Sequence, residues 1–103
     1  MSALIYFGIK ENIVEKASDI IKEKLKSLHI EGMYDEIMHD AADHVDELVQ
    51  IDGLQTQSSY KFTETIVKEM FESAGMFIKE ARPNEQIEFT IDEPGFKYSI
   101  TTA

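Results

Sequence analysis

A chain of 103 residues with no cysteine and a net charge of −10, from 20 acids against 10 Lys and Arg, reads as one acidic domain. These numbers exclude disulfides, a thiolate nucleophile and a cysteine-held zinc. They also argue against direct binding to nucleic acid or an anionic membrane, because phosphate contacts need Lys and Arg.

A hydrophobic fraction of 43%, with six Phe and four Tyr, supplies a core rather than disorder. The first element is ALIYFGI at 3–9, which reads as a buried strand. It is too short to span a bilayer and lacks the basic flank and cleavage pattern of a secretory leader. The expected setting is therefore the cytoplasm. Asn12 then stands as an N-cap with Glu15 in capping-box position. Ile13, Val14, Ala17, Ile20, Ile21, Leu25 and Leu28 recur at helical spacing, predicting a first helix over about 12–29. Its other face mixes both charge signs.

Glu31-Gly32 punctuates, and a second helix is expected over about 33–50. Tyr34, Ile37, Met38, Ala41, Ala42, Val45, Leu48 and Val49 share its apolar face. Glu36, His39, Asp40, Asp43, His44 and Glu47 share the opposite one. Asp52-Gly53 ends this helix, and LQTQSS is a short polar loop. Ser58 or Ser59 caps a third helix over about 60–81, whose broad apolar face includes Phe62, Ile66, Met70, Phe71 and Ile78. Gly75 weakens its middle or marks a bend, and Arg82-Pro83 stops it. The period then changes to two. Ile87, Phe89 and Ile91 alternate with polar residues, as do Phe96, Tyr98 and Ile100. Within Asp92-Glu93-Pro94-Gly95 the Pro-Gly pair fits a type II turn, so a hairpin is predicted. The expected fold is α+β, ordered β-α-α-α-β-β, with three helices packed on a small antiparallel sheet.

The charge is unevenly distributed. Residues 30–59 hold eight acids and no Lys or Arg, whereas the first and third helices mix their signs. HDAADH at 39–44 raises three chemistries. Asp40/His44 and His39/Asp43 are i,i+4 pairs, a geometry that can hold two ligands of a metal. HDAADH is not a zinc motif such as HExxH, and no third ligand is evident unless His29 converges, so no metal is expected. A small metal-dependent enzyme using His39, Asp40, Asp43 and His44 is the corresponding catalytic reading. It lacks a pocket, a glycine loop for phosphate and a nucleophile motif, so a non-enzymatic chain without cofactor is expected. The third chemistry is a negative surface. Like charges along one helix repel, and an unmixed stripe therefore asks for a partner. The residues assigned to it are Asp35, Glu36, His39, Asp40, Asp43, Asp46 and Glu47. The Met and Phe pairs at 70, 71, 76 and 77 are expected in the core, since their spacing follows the helix period.

NIVEKASDIIKEKL, MYDEIMHDAADHV and FTETIVKEMFESA, within residues 12–49 and 62–81, resemble the acidic phage anti-restriction proteins of the Ocr type. The shared core is Met38, His39, Ala42 and Asp43, and the likeness spans roughly half the chain. It implies a DNA mimic whose carboxylates at Asp35, Glu36, Asp40, Asp43, Asp46 and Glu47 replace phosphates. That family is all-helical, whereas this chain has β segments and no long acidic tail, so what carries over is a local decoy of a few phosphates. The function expected is a phage-encoded inhibitor of a host nucleic-acid-binding defence protein, of anti-restriction or anti-CRISPR type. The alternative is a structural protein that self-associates, as a homodimer, through its apolar helix faces.

Overall fold

Residues 8–102 are described by a computed structural model. Helix α1 (Glu11–Ser27) leads through a 3-10 turn (Glu31–Met33) into α2 (Tyr34–Asp52). A second 3-10 turn (Leu54–Thr56) precedes α3 (Ser59–Ala81). Strands β1 (Ile87–Glu93) and β2 (Phe96–Thr102) close the chain as an antiparallel hairpin. The α+β class holds, with both described strands at the C-terminal end. Most of the strand expected over 3–9 lies outside the described residues, and Gly8 and Ile9 form a turn and a bend.

α3 is the central element and touches both other helices and both strands. It is the longest helix and buries Phe62, Ile66, Val67, Met70, Phe71, Ala74 and Ile78. α1 supplies Ile13, Val14, Ala17, Ile21 and Leu25, and α2 supplies Ile37, Ala41, Ala42 and Val45. Strand alternation then covers the remaining side of α3: Ile87, Phe89 and Ile91 point inward while Glu88, Thr90 and Asp92 face out. Phe71 stacks on Phe89 with ring centroids 4.9 Å apart. Each such ring removed from water contributes about 1.5–3 kcal/mol. Met70 and Phe71 are core as expected, but Met76 is 48% exposed and Phe77 half-buried, because the apolar arc of α3 narrows toward its end.

The element ends show which local signals govern. α1 starts one residue before Asn12. Lys10 is its N-cap without a side-chain bond, and Lys10's carbonyl accepts the N–H groups of Ile13 and Val14. Lys10's own N–H donates to Thr63 Oγ1 at 2.9 Å, a tertiary bond that fixes the start of α1 against α3. Thr63 is thus a buried anchor inside α3. Ser58 does cap α3, accepting from the Lys61 N–H at 3.2 Å. Gly53 ends α2 in the left-handed region, φ 64°, where a Cβ is costly. Gly95 sits at φ 81° in the hairpin turn, as the third position of a type II turn requires. α3 runs unbroken through Gly75. Among the described residues, no helix is long and apolar enough to cross a membrane.

Candidate functional site

α2 presents its polar face to solvent because its buried face is fixed by Ile37, Ala41, Ala42 and Val45 against α3. At about 100° per residue, Asp35, Asp46, His39, Asp43, Glu36 and Glu47 fall within one arc of about 120°. All six are exposed. Asp40 and His44 lie at the edge of this arc, turned toward α3. The stripe starts in the first turn, where carboxylates suit the helix dipole, and stops at Glu47, more than a turn short of the end of α2. Glu36/Asp40, Asp40/Asp43, Asp43/Asp46 and Asp43/Glu47 are like-charge neighbours at i,i+3 or i,i+4. Each such pair destabilises a helix by about 0.2–0.5 kcal/mol.

The ion pairs that lysines make join Lys16 to Glu93, Lys61 to Glu64, Lys68 to Glu72 and Lys97 to Asp92, at 3.2–4.0 Å. None of these four reaches α2. Among the described residues, these pairs leave out Asp35, Glu36, Asp43 and Glu47, so that part of the stripe keeps the single sign it has in the sequence.

Asp40 differs from its neighbours. Its Oδ2 accepts from the Ser73 hydroxyl at 2.8 Å, and the same hydroxyl lies 3.0 Å from the Ile37 carbonyl oxygen. Ser73 is buried, so this donor has to be satisfied within the protein. His44 Nδ1 stands 3.8 Å from Asp40 Oδ2 and 3.5 Å from Glu69 Oε1. Burial is the main reason that the Glu69 carboxyl is pushed above its usual value, with Glu72 adding to it and His44 and Lys68 opposing. Asp40, His44, Glu69 and Ser73 thus form a polar seam between α2 and α3. The seam holds the helix in register. Of the residues assigned to the acidic surface, the structure brings Asp35, Glu36, His39, Asp43, Asp46 and Glu47 together on the open face and gives Asp40 to the seam.

Among the described residues, no three His, Asp or Glu side chains are placed to hold a metal ion. His29 does not join His39 and His44 in any such group. It occupies the left-handed position after α1, φ 59°, and its backbone closes the helix.

The residues that sequence reasoning passed over lie on α1. Glu11, Glu15 and Asp19 are spaced by four, so they stand in one row. They rim a cleft of about 250 Å³ between α1 and α2, whose floor is Val14 and Met38. Ser18, which lines this cleft, bonds the Tyr34 hydroxyl, and the Lys22 ammonium lies 4.9 Å from the Tyr34 ring centroid. The i,i+4,i+8 spacing was the available signal, masked by the lysines interleaved with it. No family model, curated protein or solved structure matches the chain.

Proposed function

We propose that this protein is a non-enzymatic inhibitor that docks the acidic face of α2 onto a basic, nucleic-acid-binding surface of another protein. The observation that carries this reading is the exposed, unmixed row of carboxylates on a helix held rigid by its buried face. Asp35 to Glu47 spans about 18 Å of helix axis. Five exposed carboxylates over that length, Asp35, Glu36, Asp43, Asp46 and Glu47, give one charge per about 3.6 Å, against one per roughly 3.4 Å along a single DNA strand. A groove lined by Lys and Arg to neutralise phosphates meets a similar charge density here, with charge-assisted hydrogen bonds in the same sense. The likeness of residues 12–49 and 62–81 to phage anti-restriction proteins supports the same reading and suggests a host defence protein as target, of restriction or CRISPR type.

Docking through α2 does not need Asp40, which the seam retains. The test is capture from bacterial lysate on the immobilised protein, followed by elution with duplex DNA. The wild type is expected to yield a nucleic-acid-binding protein that duplex DNA releases. The Glu36→Lys, Asp43→Lys, Glu47→Lys variant is expected to lose at least about tenfold in capture, since like charges then face each other. Equal capture on both columns, or capture that duplex DNA does not compete, would sink the proposal.

A further inference from the structure

The two edges of the hairpin differ. α1 packs beside β1, where Lys16 pairs with Glu93 at 3.9 Å. β2 lies against α3, and the Tyr98 ring stacks on Phe71 with centroids 6.3 Å apart. The two-residue turn Pro94-Gly95 sets Glu93 opposite Phe96. Phe96, Tyr98 and Ile100 therefore turn their backbone N–H and C=O groups toward β1, and Lys97, Ser99 and Thr101 turn theirs outward. Among the described residues, no strand pairs with that outward row. Such a row is a template for another strand. The inner side tells the same story. Phe89 and Ile91 of β1 are fully buried, but their partners Ile100 and Tyr98 on β2 are only half-buried. The cover over the sheet is thus incomplete on the β2 side.

We infer that β2 is the interface of a two-fold dimer, pairing antiparallel with β2 of a second copy about Ser99. In that register Ser99 faces Ser99 and Lys97 faces Thr101, so each outward residue donates to and accepts from the one it meets. Tyr98 comes opposite Ile100 of the second copy, an aromatic and β-branched pair on the side where both are half-covered. Charge favours this strand and a second copy as its occupant. β1 carries Glu88, Asp92 and Glu93, whereas β2 carries Lys97 alone, and the register keeps the two lysines apart. The helix beneath agrees. Burial, then Glu72 and Glu64, push the Tyr98 phenol above its usual value, so these acids of α3 lie toward β2. They alternate in sign with Lys61 and Lys68, to which they are paired. A two-fold axis reverses this row in the second copy, so its alternating signs are matched by their opposites. α3 and β2 together hold four lysines and four glutamates, a neutral side on a chain of net charge −10. Two copies meet there with less repulsion than through the acidic stripe. α2 packs on α3 rather than on the hairpin, so both acidic faces stay open. The dimer does not depend on what α2 binds.

The test is sedimentation equilibrium of the full chain from roughly 5 µM to 0.5 mM, the span suited to a small interface. The mass is expected to rise from 11.8 kDa toward twice that value. Amide exchange is read alongside, and the N–H groups of Lys97, Ser99 and Thr101 are expected to gain protection as concentration rises. Ser99→Lys sets like charges face to face on the axis and is expected to weaken the dimer at least about tenfold. It also makes each chain less negative, which by itself favours association, so a loss is specific to the edge. Thr90→Lys is the matched control. It makes the same charge change and removes the same contact, since the Thr90 and Ser99 hydroxyls are 3.1 Å apart, but from the strand that faces no second copy. Both positions are exposed, so the fold tolerates either change, and the control is expected to dimerise like the wild type. A monomer at every concentration, or a dimer that both variants weaken equally or not at all, would overturn the inference. So would a monomer in which those three amides are protected throughout, because another segment of the same chain would then hold the edge.

Discussion

Glu69 shows how a single residue pays for the position of the acidic helix. Its side chain is 16% exposed and faces Asp40 and His44 across the seam. Burial disfavours its charged form and raises its pKa above the ordinary 4.5; Glu72 and Asp40 act in the same direction. A carboxyl that holds its proton more tightly folded than unfolded contributes stability below the unfolded value. That contribution is lost as pH rises from 4.5 through the folded value. Glu69→Gln removes the charge but keeps the shape. The variant is therefore expected to be more stable than the wild type at pH 7, with the gap closing as pH falls through the raised folded value toward 4.5. Urea unfolding midpoints across that range check it, and a gap that does not change with pH would contradict the assignment.

At the scale of elements, the end of α1 is the most informative. The Ile30 N–H donates to the Leu25 carbonyl at 2.9 Å and the His29 N–H to the Lys26 carbonyl at 3.1 Å. These are the two bonds of a Schellman motif, with His29 in the left-handed position that glycine usually takes. Arg82 adds a tertiary tie, donating to the Leu28 carbonyl at 3.1 Å. Left-handed backbone costs a side-chain-bearing residue about 1–2 kcal/mol. Glycine would remove this cost but give up about 0.4–1 kcal/mol through its larger unfolded-state freedom. His29→Gly is thus expected to stabilise the protein by about 0.5 kcal/mol, read from the denaturant midpoint at constant slope. A loss of stability would mean that the His29 side chain does more than accompany its backbone.

For the whole molecule, the governing quantity is charge. A net of −10 is concentrated where no cation interrupts it, and the four like-charge pairs on α2 together weaken the fold by roughly 1 kcal/mol. The Debye length is about 10 Å at 0.1 M salt, which exceeds the spacing of neighbouring carboxylates. Raising salt from roughly 0.02 to 0.3 M screens part of this repulsion and is expected to lift the melting temperature, by less than the about 4–8 °C that a full 1 kcal/mol makes in a domain of this size. Neutralising the stripe with Glu36→Gln, Asp43→Asn and Glu47→Gln should flatten that dependence. Calorimetry at several salt concentrations decides it. A wild type indifferent to salt would show that the surface is already balanced. Such a balance would also weaken the case for a basic partner.

The sequence by itself determined the three helices, the C-terminal hairpin and the polar face of α2. Each is written as a local period: apolar residues at 3.6 spacing over Ile13–Leu25 and Phe62–Ile78, then at two over Ile87–Ile91, with Pro94-Gly95 for the turn. The residues of the acidic surface were legible for the same reason, because a helix face follows from spacing alone. Only the tertiary structure decided which carboxylates stay open and which are engaged. Asp40 and Asp43 are both acids on the polar side of α2, yet Ser73 from α3 takes the first and leaves the second to solvent. The start of α1 was decided in the same way, by Thr63 from a helix fifty-three residues away in sequence. So was the cleft, which lies where α1 and α2, both packed on α3, come together near Met38. Contacts of this kind depend on how helices pack in three dimensions, and no period along one chain segment encodes the partner across the gap.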